Sequence, residues 1–268
     1  MMTMHDALAA VLDDIGPLAV AVAVSGGVDS MTLAAFAHRR SPVAVQMFHA
    51  TSPAVPPVAT ERVHARATRD GWDLHVVDAG EFDDERYRAN PVNRCYWCKT
   101  SLYDSIARHT DRTVVSGANI DDLGDYRPGL DAAAERQVRH PFVEAGITKP
   151  AVRDIAAALG LDDVVELPAS PCLSSRIETG IRIEADMLTA VDATERFVRR
   201  QLQSCTVRCR VRSDAVVIEL DGDSLARLGD GASLGDAVTS IMGPVAPWLP
   251  VRFEPYRMGS AFLHPKDT

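Results

Sequence analysis

Leu18-Ala19-Val20-Ala21-Val22-Ala23-Val24 runs directly into Ser25-Gly26-Gly27-Val28-Asp29-Ser30 and then into the helix-like stretch Met31 to His38. A strand is expected to enter a turn that opens a helix. Two adjacent glycines let the backbone approach an anion without interference from Cβ, and the N–H groups at a helix start carry partial positive charge. Ser25 and Ser30 add hydroxyl groups, while Asp29 would repel a bare phosphate unless a Mg²⁺ ion bridged the two. The turn therefore reads as a pyrophosphate holder. No lysine follows the glycines, and their spacing is not that of a dinucleotide-binding turn.

Outward from this turn, apolar β-rich runs alternate with helical stretches up to about residue 165. Pro42 to His49, Asp73 to Val77 and Thr113 to Ser116 read as further strands. Val58 to Asp70, Lys99 to His109 and Lys149 to Leu159 read as crossover helices, the last stopped by Gly160. This is the pattern of an α/β fold, a parallel sheet with helices on both faces. Ligands of such sheets lie beyond the carboxyl ends of the strands, where Ser25, His49 and Ser116-Gly117 fall. The Pro-rich loop Ser52 to Pro57 is expected to fold over that region.

After Pro168 the pattern changes. Glu184 to Gln203 reads as a long amphipathic helix, Thr206 to Arg212 and Ala215 to Leu220 as a hairpin around Ser213-Asp214, Asp223 to Ile241 as one helix, and Val251 to Phe253 as a last strand. The expected organisation is an α/β domain carrying the Ser25 to Ser30 turn over residues 1–168 and a small C-terminal α+β domain over 169–268.

The 268 residues are 46% hydrophobic, enough for a packed core, and the formal net charge of −9 disfavours nucleic acid as a partner. No stretch approaches a membrane-spanning length and the first residues lack a signal peptide's basic region, so a cytoplasmic protein with no membrane partner is expected. In that compartment Cys95, Cys98, Cys172, Cys205 and Cys209 should be reduced.

The Ser25 to Ser30 turn resembles the PP-loop of the ATP pyrophosphatase superfamily, which implies cleavage of ATP between the α and β phosphates. Three further stretches sharpen the resemblance. They are Tyr87 to Thr100 (YRANPVNRCYWCKT), Gly117 to Gly129 (GANIDDLGDYRPG) and Pro168 to Arg176 (PASPCLSSR). From about residue 15 to about 220, their order and spacing resemble the LarE family. Those proteins are ATP-dependent sulfur transferases that make a thiolated pyridinium mononucleotide, the organic part of a nickel-pincer cofactor. The resemblance implies Mg²⁺ and ATP as cofactors, a small-molecule pyridinium mononucleotide as substrate, a sulfur donor as a further partner, and a homo-oligomer.

A thiolate is the natural attacker of an adenylated carboxylate. Cys172 is the expected nucleophile, and Arg176 is expected to lower its pKa or to hold a phosphate or carboxylate in a fork. By the same resemblance Cys172 either gives up its own sulfur or joins Cys95 and Cys98 as ligands of a [4Fe–4S] cluster with one open iron. The Cys95-Tyr96-Trp97-Cys98 pair also reads as a redox dithiol, a zinc half-site or packing. Cys205 and Cys209, spaced as same-side residues of a strand, read as core.

Gly117, Asn119 and Asp122 follow the fourth strand and are expected to position the α-phosphate, ribose or metal. Their alternative is a loop satisfied by its own Asx turns. The negative charge crowded by Asp121, Asp122 and Asp125, which a cation or Arg127 must offset, speaks for function. Arg208 and Arg210 project from one strand face with Glu219 on the hairpin partner, a pattern that resembles the family's substrate-phosphate site or, more simply, a charged exposed face. Glu195 on the long helix joins this set by the same resemblance. Leu167 stands where the family pattern has a more polar residue, and no histidine is assigned to catalysis. The function expected is adenylation of a carboxylate followed by thiolation. The alternatives are an amide-forming or thiolating ligase for another substrate, and a non-catalytic nucleotide or iron–sulfur sensor.

Overall fold

A computed structural model describes residues 3–16, 20–41, 45–124, 127–168, 171–204 and 206–263. The chain forms two compact units, residues 1–84 with 95–170, and residues 85–94 with 171–268. The short segment Glu85–Arg94 thus belongs with the C-terminal unit although the chain on both sides of it belongs to the first.

The first unit is built on four strands, β1 (Val20–Ala23), β2 (Val45–Thr51), β3 (Asp73–Asp78) and β4 (Thr113–Val115). They lie in the order β3-β2-β1-β4. All neighbours are parallel, with Val20 opposite both Val45 and Thr113 and Gln46 opposite Asp73. The expected α/β architecture is present. Side chains alternate along each strand, so Val20, Val22, Val45 and Met47 enter one core and Ala21 and Phe48 another. The first core is completed by Leu33 and Phe36 of the helix Val28–Arg40, Val63 of Pro57–Asp70 and Ile155 of Lys149–Ala158. The second takes Tyr103 and Ile106 of Arg94–Ala107 and Ala133 of Pro128–Glu135. Helices therefore cover both faces, as a parallel sheet requires.

The helix Met4–Ile15 was not expected. Its signal is in the sequence: Thr3 and Asp6 form a reciprocal capping box, and Leu8 and Leu12 supply the buried stripe.

The second unit holds the helix Ala185–Leu202 and a three-stranded sheet of β5 (Val207–Val211), β6 (Val216–Leu220) and β7 (Val251–Pro255). β5 and β6 form the expected antiparallel hairpin, with Arg208 opposite Glu219, and β7 joins β6 in parallel. The single helix expected over Asp223 to Ile241 is two, Gly222–Arg227 and Ala232–Met242. Gly229 and Gly231, with φ of +66° and +67°, turn the chain between them. No helix among the described residues is long and apolar enough to cross a membrane.

Candidate active site

The turn after β1 closes on itself through serine hydroxyls. Ser25 N donates to Ser30 Oγ at 3.0 Å, the two hydroxyls lie 3.1 Å apart, and Ser30 Oγ donates to Gly27 O at 3.2 Å. Gly27 caps the helix without a side-chain bond. The N–H groups of Val28, Asp29 and Ser30 therefore have no acceptor within the helix and face the turn with the positive end of its dipole. Gly26 has φ +81°, and a Cβ there would sit 2.7 Å from Ala59 O. Arg62 Nη1 donates to Gly26 O at 2.7 Å.

Two elements press on this turn. His49 at the end of β2 is fully buried, with Nδ1 2.8 Å from Val24 O and Nε2 2.9 Å from Thr60 Oγ1. A carbonyl only accepts, so Nδ1 carries the proton and the Thr60 hydroxyl donates to Nε2. Burial pushes the His49 pKa down, against the hydrogen bond to Val24 O. From the other side comes Gly117, after β4. A Cβ on Gly117 would meet Asp29 C and Ser30 N at 2.8 Å. β1 and β4 are neighbours reached by a crossover from the far edge of the sheet, so the turn lies at the point where strand order reverses.

The loop beyond Gly117 is tied to the turn. Asn119, 2% exposed, donates from Nδ2 to Asp29 Oδ1 at 3.3 Å. Its N–H donates to Asp122 Oδ2 at 3.0 Å, and its Oδ1 accepts from Asp121 N at 3.0 Å. Asp122, expected as a ligand contact, ties the loop and pairs with Arg127 at 2.9 Å. Asn119 and Asp122 thus form local side-chain turns within the loop, and Arg127 offsets the Asp122 charge. Asp125 lies outside the described residues.

Lys149 was missed by sequence reasoning. Its Nζ lies 2.5 Å from Asp29 Oδ2, and its N–H donates to Asp121 Oδ2 at 2.5 Å. One signal was available: Lys149 is the first residue of a helix, where a cation opposes the macrodipole unless an anion holds it.

The thiols fall in both units. Cys95 and Cys98 stand one turn apart in the helix Arg94–Ala107, both half-buried. Gly129 lets the next helix approach them, since a Cβ would lie 3.0 Å from Lys99 Cγ and 3.5 Å from Cys95 O. Cys172, also half-buried, belongs to the second unit, at the cap of the one-turn 3₁₀ helix Leu173–Arg176. Its carbonyl accepts from Ser175 N at 3.0 Å, Ser175 Oγ at 2.8 Å and Arg176 Nη1 at 3.1 Å. Among the described residues no group of three or more His, Cys, Asp or Glu side chains stands close enough to hold a metal ion. Cys209 is fully buried and burial pushes its thiol pKa up, while Cys205 lies outside the described residues.

The fork of Arg176 is not turned outward. Nε and Nη2 donate to Glu195 Oε1 and Oε2 at 2.9 and 3.2 Å, and Nη1 donates to Pro171 O at 2.7 Å. Arg176 and Glu195 are 2% and 4% exposed, so this pair fixes the Cys172 loop to the long helix instead of offering a free anion clamp. Arg210 is likewise buried, donating from Nε to Glu219 Oε2 at 2.9 Å and from Nη1 to Ser175 O at 3.1 Å. Arg212 shares Glu219 through Oε1 at 3.1 Å. Arg208 is half-buried, 5.8 Å over the Tyr256 ring. Burial, then the nearby Arg176 cation, lowers the Arg208 pKa.

No family model matches the chain. It is 36% identical over 242 residues to an uncharacterised protein of Synechocystis, covering 89% of the chain and 90% of that relative. An uncharacterised protein of Methanocaldococcus jannaschii is 26% identical over 208 residues, 76% of the chain and 78% of the relative. The pyridinium-3,5-bisthiocarboxylic acid mononucleotide synthase of Lactiplantibacillus plantarum is 31% identical over 227 residues, 82% of the chain and 79% of the relative. The chain belongs to that synthase's family, the LarE family. In this LarE family member the first unit gathers Ser25 to Ser30, Gly117, Asn119 and Lys149 around one turn. The second gathers Cys172, Arg176 and Glu195 around one loop, with Arg210 and Glu219 reaching the same loop through Ser175.

Proposed function

We propose that the protein is an ATP-dependent sulfur transferase that adenylates a carboxylate of a pyridinium mononucleotide and replaces it with a thiocarboxylate. The observation that carries this reading is the Ser25 to Ser30 turn, with Gly117 pressed against Asp29 and Ser30 at the strand-order reversal. The name of the L. plantarum relative supplies the substrate class.

The β and γ phosphates of ATP would lie on the N–H groups of the turn, with Lys149 and the Ser25 and Ser30 hydroxyls beside them. Asp29, with its two oxygens turned to Asn119 and Lys149 at the turn, suits a Mg²⁺ held by one carboxylate and the phosphates. A cavity of about 360 Å³ opens at the ends of β2 and β3, lined by residues that include Thr51, Ser52, Asp78, Phe82 and Asp83. Its two carboxylates would repel phosphates and accept hydrogen bonds from a ribose or an amino group, which suits the nucleoside. The substrate carboxylate attacks the α-phosphorus and pyrophosphate leaves. A sulfur nucleophile then attacks the acyl carbon and AMP leaves.

Cys172 is that nucleophile in the simplest form of the reading. The alternative form of the reading keeps Cys95 and Cys98, one helical turn apart, as thiolate ligands of a [4Fe–4S] cluster. When bound, the cluster would supply a sulfide in place of the Cys172 sulfur. Arg176 and Glu195 hold the Cys172 loop in place, Arg208 is proposed to meet the substrate phosphate with Arg210 and Glu219 fixing its strand, and a homo-oligomer and an external sulfur donor belong to the same reading. Pyrophosphate release from Mg²⁺-ATP tests it: release that requires the pyridinium dicarboxylate mononucleotide supports the reading, and ATP binding without release contradicts it.

A further inference from the structure

Arg94 is 1% exposed, and its Nε, Nη1 and Nη2 are all buried without a hydrogen-bond partner among the described residues. A guanidinium stays charged in proteins and carries five N–H donors, so leaving it buried and unpaired is costly. The Phe262 ring lies over it, 4.1 Å from Cζ to the ring centroid. Stacking offsets part of the cost but occupies none of the in-plane donors. The edge of the fork that would take a carboxylate or phosphate in two parallel bonds meets no protein acceptor among the described residues.

Phe262 belongs to a strap, residues 257–263, fastened mainly by hydrogen bonds. Arg257 O accepts from Arg210 Nη2 at 3.3 Å and Ser260 Oγ donates to Glu219 Oε1 at 2.5 Å. Ala261 O accepts from Thr179 N at 3.0 Å, and Leu263 N donates to Thr179 Oγ1 at 3.2 Å. Met258 is 90% exposed and Ala261 is the only apolar residue of the strap that is fully buried. A segment with so few buried apolar side chains is a candidate for local opening without global unfolding.

We propose that Arg94 anchors an oxyanion site in the second unit, for a carboxylate or phosphate group, with the 257–263 strap as its lid and Phe262 as the cover. When the site is empty, Phe262 rests on the guanidinium. When the lid lifts, the fork takes the anion in two charge-assisted bonds.

The test is a titration of the ¹⁵N-labelled full-length protein, following the Arg94 Nε–H resonance, assigned by its loss in Arg94→Lys. Inorganic phosphate is the first probe and nicotinamide mononucleotide, a pyridinium nucleotide, the second. Binding at the Ser25 to Ser30 turn is followed separately, through the amides of that turn. A saturable shift is expected, and Phe262→Ala should lower its midpoint about tenfold, because a lid open only part of the time weakens apparent affinity by the open fraction. A lower midpoint for phosphate assigns the site to a free anion, and a lower midpoint for the nucleotide assigns it to a nucleotide phosphate and moves that contact from Arg208 to Arg94. An Arg94 resonance that neither probe moves, in the native protein and in Phe262→Ala alike, overturns the proposal.

Discussion

Lys149 Nζ and Asp29 Oδ2 lie 2.5 Å apart across 120 residues of sequence, which puts one cation and one anion at the mouth of the phosphate turn. Both side chains are about one-third exposed or less, and a pair so placed contributes little to stability, about 0–1 kcal/mol. In the proposed reading its role is towards the phosphates of ATP. Lys149→Met should leave the melting temperature nearly unchanged and raise the KM for ATP by about tenfold to a hundredfold, the loss of roughly 1.4–2.7 kcal/mol of phosphate stabilisation. A large fall in melting temperature with unchanged KM would make the pair structural.

Gly26 and Gly117 should not tolerate alanine. Gly26→Ala combines a positive φ with a Cβ 2.7 Å from Ala59 O and should cost about 2–4 kcal/mol, read as a lower urea midpoint. Gly117→Ala pushes on Asp29 and Ser30 and should abolish ATP turnover with a smaller stability loss. Gly124, with nothing within 4 Å of a built Cβ, is the control, and Gly124→Ala should change neither.

Glu195 is the partner that keeps the Arg176 charge tolerable inside the second unit. Glu195→Ala leaves a 2%-exposed guanidinium uncompensated and should cost about 3–5 kcal/mol. Arg176→Met combined with Glu195→Leu should recover much of that stability without recovering thiolation, because the Cys172 carbonyl loses its Arg176 donor. Thermal melts and product analysis of the single and double variants separate the two effects.

The sheet was legible because valine-rich strands and Gly-containing boundaries carry local signals, and the second unit's hairpin showed as alternation around Ser213-Asp214. What escaped was non-local or sign-reversed. Lys149 reads as an ordinary helix-start residue until Asp29 is seen beside it. Arg176 was expected to face a ligand because its motif places it near Cys172, but Glu195, 19 residues later on another element, takes its fork. The Asp223 to Ile241 stretch has continuous helical periodicity, and the break comes from backbone φ at Gly229 and Gly231, which side-chain periodicity does not report.

Acid should weaken the first unit through His49. Its folded pKa is held below the ordinary value, first by burial, so below about pH 6.5 the unfolded chain binds a proton that the folded chain refuses. The stability His49 supplies is intact above about pH 6.5 and falls as pH drops towards the folded pKa, by up to about 1.4 kcal/mol per pH unit. His49→Gln should be less stable at neutral pH and flatter between about pH 5 and 6.5 in urea titrations. An unchanged slope would mean that His49 does not carry the effect.

The central claim is adenylation at the Ser25 to Ser30 turn followed by sulfur transfer at Cys172. An anaerobic reaction with Mg²⁺-ATP and pyridinium-3,5-dicarboxylate mononucleotide, read by mass spectrometry of small molecules and intact protein together, tests it most directly, with Cys172→Ala run in parallel. The native protein should give AMP and thiolated product, losing the elements of H₂S at Cys172 if its own sulfur is used and keeping its mass over repeated turnovers if sulfide is supplied. Cys172→Ala should give the adenylate without thiolation. Thiolated product from Cys172→Ala, or no AMP from the native protein, would contradict the account.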